Sequence, residues 1–151
     1  MNNFEGNGVD KKTKVNFLLE AKRIGDRMLS EGKTDRNGLY WLRLVMDVSG
    51  NITWSASTSL YSGTPGIALF YLELYNETHE GQYLDAAKEA MRWVGNYFKN
   101  NPIESWAFYD GAMGASYVLI KLFQITKDDQ YIKTGLASRH RKKPKILSDY
   151  S

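Results

Sequence analysis

The 151-residue sequence has no cysteine and only two histidines, His79 and His140. Without cysteine the chain makes no disulfide, offers no thiolate nucleophile and gives no sulfur to a zinc ion. No apolar run approaches the roughly 20 residues that span a bilayer. The first residues, MNNFEGNGVDKKTK, are polar and lack the apolar stretch of a signal peptide. A cytoplasmic protein is the expectation. A real excess of one charge is missing too. The formal net charge is +3, but Arg139, Arg141, Lys142, Lys143 and Lys145 lie in the last 13 residues. Without residues 139–151 the chain has 15 basic and 16 acidic side chains. A short basic tail can touch nucleic acid or anionic lipid, but a solvated end is the simpler expectation, so neither nucleic acid nor membrane is expected as a partner.

What is present suits one folded domain. Hydrophobic residues make up 42% and charged residues 25%, which argues against wholesale disorder. A repeat organises the middle of the chain. Residues 60–88 align with residues 108–136 without a gap, at an offset of 48. The identical pairs are Tyr61/Tyr109, Gly63/Gly111, Gly66/Gly114, Leu74/Leu122, Thr78/Thr126, Gln82/Gln130 and Tyr83/Tyr131.

Each copy reads as two helices. The first helix of copy one runs from about Thr64 to Glu77, with Thr64 as cap and Pro65 at the first helical position. It is apolar on nearly every side, and so is its counterpart at about Ala112 to Ile125. A helix apolar all round has to be enclosed by others. The next helix, about Gln82 to Phe98, carries one apolar stripe: Tyr83, Ala86, Ala87, Ala90, Met91, Val94 and Phe98. Asp85, Lys88, Glu89, Arg92 and Lys99 lie largely opposite. An earlier helix, about Thr13 to Leu29, puts Phe17, Ala21, Ile24 and Met28 on one face. Outer and inner helices thus alternate, as an α/α toroid or helical solenoid requires. The expected class is all-α.

The glycine turns are singled out for backbone reasons. Gly63 and Gly111 can take a positive φ at the entry to each inner helix. Gly66 and Gly114 cost about 1 kcal/mol each in helix propensity, which implies close packing there. Neighbouring inner helices are the expected cause, ahead of a ligand. The motif is not a phosphate cradle, because no strand precedes it and no lysine follows the second glycine.

The stretch Leu60-Tyr61-Ser62-Gly63-Thr64-Pro65-Gly66-Ile67-Ala68-Leu69-Phe70, with Thr78 and Tyr83-Leu84-Asp85-Ala86-Ala87 after it, resembles the repeat of the lanthionine synthetase C-like family. Phe108-Tyr109-Asp110-Gly111-Ala112-Met113-Gly114 is similar to it as well. A helix at Ala21–Leu29 and a tryptophan (Trp41 or Trp54) before the first glycine turn also fit. The resemblance covers roughly residues 15–136. It implies an α/α toroid of about seven inner and seven outer helices. For true cyclases it implies peptide modification: a zinc-bound cysteine thiolate of a precursor peptide adds to a dehydroalanine or dehydrobutyrine and closes a thioether ring.

The chain departs from this pattern at the chemistry. The family's zinc is held by two cysteines and a histidine, and this chain has no cysteine. Neither His79 nor His140 has a partner at ligand spacing. No metal ligand is carried over, no cofactor is expected and catalytic residues are not assigned. At 48 residues per helix pair, a closed ring needs on the order of 300 residues. Two to three of six or seven pairs are present, an incomplete toroid. The expected organisation is a disordered N-terminus at 1–12, the repeats at 13–136 and a basic tail at 137–151. The apolar period stops after Leu136 and Pro144 forbids an uninterrupted helix. Two readings stay open there, a broken reading frame and a genuine short chain with a disordered tail. The first is the expectation.

Aromatic and acidic side chains gather before the second inner helix: Trp106, Phe108, Tyr109 and Asp110. Asp110 could serve as an acid, as in carbohydrate-active toroids that pair two carboxylic groups. It also suits the positive end of a helix dipole. Its counterpart is Ser62, and Glu104 is placed by no motif, so no carboxylate pair stands out. The substrate-binding candidates are Tyr61, Trp106, Tyr109 and Asp110, for a precursor peptide or a saccharide. A helical peptide- or carbohydrate-binding module, or a fragment of a carbohydrate-active α/α-toroid enzyme, is the alternative to a cyclase-like fragment. The unpaired inner helices are expected to self-associate or to pack loosely.

Overall fold

The computed structural model describes residues 11–137. Residues 1–10 and 138–151, with His140 and nearly all of the basic tail, lie outside the described residues. Five helices and four short strands follow in the order α1 (Lys11–Glu31), β1 (Lys33–Asp35), β2 (Gly38–Tyr40), β3 (Leu42–Met46), β4 (Ile52–Ala56), α2 (Thr64–Thr78), α3 (Gly81–Asn100), α4 (Ala112–Thr126) and α5 (Gln130–Ala137). The fold is mostly helical. Among the described residues no helix is long and apolar enough to cross a membrane.

The all-α expectation is corrected by two antiparallel hairpins between α1 and α2, β1–β2 and β3–β4. Each is closed by an aspartate turn. The Asp35 carboxylate accepts the backbone N–H groups of Asn37 (2.7 Å) and Gly38 (3.2 Å). Asp47 does the same for Ser49 (2.8 Å) and Asn51 (2.9 Å), and the Asn51 side chain and backbone hold its carboxyl below the usual range. The β1–β2 hairpin lies on α3. Tyr40 stacks on Trp93 at 5.1 Å between ring centroids, and the Asn96 amide donates to Asn37 O. Gly38 is required twice over. Its φ is +137°, and a Cβ there would lie 2.4 Å from Glu89 O.

The β3–β4 hairpin is more exposed. Leu44 pairs with Trp54 and Met46 with Ile52, and these four side chains are exposed.

The core is built around α2. Tyr71 is fully buried, and its hydroxyl donates to Gly25 O at 2.8 Å. Its ring packs between Trp41 and Tyr83. Tyr83 in turn donates to Asp26 at 2.8 Å. The packed face of α1 is therefore rotated from the expected stripe. Leu18, Ala21, Met28 and Leu29 pack on the core and Gly25 is buried, while Phe17 and Ile24 are exposed. The cause is the close crossing at Gly25, where a Cβ would come within 2.8 Å of Leu74 Cδ2. A glycine counts as neutral in an apolar stripe, so periodicity alone centres the face one residue off. The stripe of α3 is the expected one: Tyr83, Ala86, Ala87, Ala90, Met91 and Val94 are buried and Phe98 is half-buried. Trp93 is buried as well, under the hairpin.

The repeat appears in backbone detail. The Thr78 hydroxyl donates to Leu74 O and accepts from the Glu80 N–H. Thr126 repeats this with Leu122 O and the Asp128 N–H. α2 and α4 then each end on a left-handed residue, His79 at φ 56° and Lys127 at φ 59°.

Candidate functional site

The two loops that enter α2 and α4 are built alike. Thr64 N–H donates to Ser57 O at 2.9 Å, and Ala112 N–H donates to Ser105 O at 3.0 Å. Ser57 and Ser105 each turn a hydroxyl onto the N–H two residues on. The repeat thus begins at Ser57 and Ser105, three residues before the sequence match. Their identity at the 48-residue offset is the signal that marks them.

This construction corrects the expectation for the glycines. Gly63 and Gly111 are the N-caps of α2 and α4 with φ of −134° and −141°, extended backbone that any residue adopts. They are glycine for space. A Cβ on Gly63 would lie 2.3 Å from Ser57 O, and one on Gly111 would lie 2.5 Å from Ser105 O. Gly66 and Gly114 are close-packed as expected, but chiefly against their own entry loops. Leu60 O and Phe108 O each stand 2.2 Å from the missing Cβ. Only Gly114 also meets the other copy, with Leu60 Cβ at 2.6 Å. Thr64 is not the cap either. It is the first helical residue, Pro65 follows it, and its buried hydroxyl has no hydrogen-bond partner among the described residues.

The two entry loops touch. Tyr61 N–H donates to Tyr109 O at 3.0 Å. Ser59, buried between them, sets its hydroxyl 3.0 Å from Tyr109 O and 3.3 Å from Asp110 Oδ1, and accepts the Ser62 N–H. Tyr61, Tyr109 and Asp110 are thereby brought onto one surface where α2 and α4 begin. The two tyrosines are 81% and 64% exposed. Phe108 packs edge-on against Tyr109 and Tyr117 and braces the second loop. Trp106 and Glu104 sit further back on that loop, both exposed. Trp106 pairs with no other described ring. Beside Tyr61 opens an apolar cleft of about 310 Å³, lined by Met28, Leu60, Gly66, Ile67 and Phe70. The sequence did not point to Ser59, because its counterpart in the second copy is Ala107.

A family model for lanthionine synthetase C-like proteins matches residues 55–148, which take in both entry loops and α2, α3 and α4. The chain belongs to this family. The match starts later than the sequence resemblance, at 55 rather than about 15, and runs on past 136. No curated protein matches the chain.

In the family pattern a zinc ion needs two cysteine sulfurs and a histidine. The residues of this lanthionine synthetase C-like chain do not fit that ion. It has no cysteine, and among the described residues no three His, Cys, Asp or Glu side chains gather where they could hold a metal. His79 is exposed at the far end of α2, with its ring edge-on to Tyr75. It sits at the opposite end of the helix from the entry loops.

Proposed function

We propose that this chain is a peptide-binding member of the lanthionine synthetase C-like family, forms an arc of an α/α toroid, and closes no thioether ring by itself. The observation that carries the binding reading is the junction of the two entry loops, which holds Tyr61 and Tyr109 side by side and exposed. Exposed tyrosines on a hydrogen-bonded frame give large contact area at little cost in conformational entropy. Asp110 adds an acceptor beside them and Trp106 a further aromatic face. The arc reading is supported by α2 and α4 lying side by side, with α3 packed against both and α5 against α4. No step of the ring-forming reaction is assigned to these residues, because the donors for its zinc are not in the chain.

The test is calorimetric titration with a synthetic peptide carrying one dehydroalanine and one cysteine, with mass and free-thiol analysis afterwards. Saturable binding is expected, weakened about tenfold or more in Tyr61→Ala/Tyr109→Ala and less in Trp106→Ala or Asp110→Ala. The peptide's free thiol should persist even when Zn²⁺ is added. Unchanged affinity in the double variant removes the proposed surface. Thiol loss catalysed by the chain with Zn²⁺ overturns the non-cyclising reading. Binding of oligosaccharides in place of the peptide transfers the site to the carbohydrate class.

A further inference from the structure

The two inner helices carry the same residue positions in different surroundings. On α2, Pro65 and Leu72 are buried and Leu69 is half-buried. Their counterparts on α4, Met113, Tyr117 and Ile120, are all exposed. These positions are spaced by four and three residues, so they form one stripe. A second set behaves in the opposite way. Gly114, Ala115 and Val118 on α4 are buried, whereas Gly66, Ile67 and Phe70 on α2 are only half-buried. At 3.6 residues per turn the two stripes lie about 140° apart, nearly on opposite sides of the helix.

The neighbours explain the asymmetry. α1 packs on α2 as α3 packs on α4, and α3 covers α2 as α5 covers α4. The contact without a counterpart is that between α2 and α4 themselves. The burial asymmetry assigns the first stripe of α2 and the second stripe of α4 to that contact. That leaves the first stripe open on α4 and the second only half-covered, beside α1, on α2. The open edges are the two halves of a joint the molecule already makes once. The open edge of α2 includes the cleft with Gly66, Ile67 and Phe70 in its wall. In the internal joint Leu60 lies against Gly114. The counterpart of Leu60 is Phe108, half-exposed, and the counterpart of Gly114 is Gly66, in the open cleft.

We infer that a second copy of this chain docks head to tail, with Phe108, Met113, Tyr117 and Ile120 of one copy seated on Gly66, Ile67 and Phe70 of the next. The occupant follows from continuity with the α2–α4 joint: the same relation, applied once more, puts a second α2 edge on α4. The Tyr61 N–H to Tyr109 O bond has its counterpart in Tyr109 N–H donating to Tyr61 O of the next copy. Side chains at the new joint are bulkier on both sides than in the internal one, which sets the helix axes further apart within the usual range of about 8–10 Å. Because the two faces differ, the joint is heterologous. It builds a ring if the rotation closes and an open filament if it does not.

The test is light scattering on the full chain across micromolar to millimolar concentration, with two single variants. Ile120→Glu spoils the α4 edge and Ile67→Glu the α2 edge. The wild type should grow beyond twice its 17.3 kDa mass as concentration rises. Each variant alone should stay a monomer with an unchanged helical signal. An equimolar mixture should recover a one-to-one dimer, since each variant keeps the edge that the other lacks. A wild type that stays monomeric throughout overturns the proposal, whatever other partner the α4 edge then takes. Loss of assembly in Ile120→Glu but not in Ile67→Glu shows a symmetric α4-to-α4 contact and overturns it too. So does a mixture that stays monomeric. Should Ile67→Glu not fold, cysteines placed at 67 and 120 give the same answer in a chain without others. Under mild oxidation the double variant should form a ladder of linked chains and Ile120→Cys alone none. Linked dimers from Ile120→Cys alone would sink the head-to-tail arrangement.

Discussion

The first and second copies of the repeat share their turns and differ in their company. Ser57 and Ser105, and Thr78 and Thr126, make the same bonds in the same places, and Gly63 and Gly111 open their helices with the same extended backbone. Yet α2 is enclosed by α1, α3 and α4, while α4 keeps an exposed apolar stripe. Local geometry therefore follows from the repeated residues, and burial follows from the neighbours. A substitution at matched positions should hurt the two copies unequally, and the size of the inequality measures what enclosure adds.

The largest contrast is expected at Leu72 and Ile120. Leu72 is 1% exposed and Ile120 46%. Leu72→Ala removes buried methyl groups and leaves a cavity, so it should cost about 4 kcal/mol. Ile120→Ala should cost under about 1 kcal/mol in the dilute monomer, where its side chain faces water. Urea unfolding of both variants at low concentration checks this. Equal losses would mean that α4 is enclosed in solution after all.

Next in size is the pair of entry glycines. Gly63→Ala drives a Cβ into backbone atoms of Ser57 and Ser59, which a side-chain rotation cannot relieve. Overpacking of this kind should cost about 3 kcal/mol. Gly111→Ala meets backbone just as closely, but residues 105–108 of its loop are exposed where residues 57–60 are half-buried or buried, so it has more room to shift. Its loss should be smaller, at about 2 kcal/mol. A positive-φ explanation would predict a smaller effect at both sites, and the observed angles exclude it.

The tyrosines Tyr83 and Tyr131 give a pH-dependent version of the comparison. Burial, then the Asp26 carboxylate, pushes the Tyr83 hydroxyl up to about 12. Tyr71 is raised too, by burial and by its neighbours Tyr83 and Asp26. Tyr131 is also raised by burial and Asp128, but its side chain is only half-buried. In the unfolded chain a tyrosine loses its proton near pH 10. Between pH 10 and 12 the folded state thus holds more protons than the unfolded one, and stability falls as pH rises. Below pH 10 both states are protonated and these groups add no slope. The share of Tyr83 should be about 2 to 3 kcal/mol by pH 12. Tyr83→Phe should flatten the decline measurably, and Tyr131→Phe should flatten it less. Chemical denaturation from pH 8 to 12 decides, and an equal slope in all three proteins would refute the assignment.

The helices were legible because their apolar positions recur at helical spacing, and the repeat was legible because identical residues stand 48 apart. Periodicity misplaces the face of α1 because a glycine, Gly25, makes its closest contact. The hairpins are not legible by pattern because β1 and β2 are three residues long and β3 and β4 five, too short for alternation to compete with the helices. Their signals were the turns, Asp35-Arg36-Asn37-Gly38 and Asp47 through Asn51. At the candidate site, Tyr61, Tyr109 and Asp110 could be named from the repeat. That Ser59 joins them could not, since its bonds cross 50 residues of chain and its own counterpart is an alanine.

The smallest effect expected is a gain. Thr64 opens α2 and is wholly buried, and its hydroxyl meets no acceptor or donor among the described residues. The second copy has Ala112 at this position, equally buried, with the same N–H bond to the loop carbonyl. The hydroxyl is therefore no part of the turn. A buried hydroxyl left unmatched forfeits the bond it had with water, a penalty of about 1 kcal/mol or more. Thr64→Val keeps the branched shape and drops the polar atom, so urea unfolding should show a rise in stability of about 1 kcal/mol. Thr64→Ala should gain less, because it also removes a methyl from a packed site. If Thr64→Val instead lowered stability, the hydroxyl would have a partner in solution. The two entry turns would then differ in chemistry as well as in surroundings.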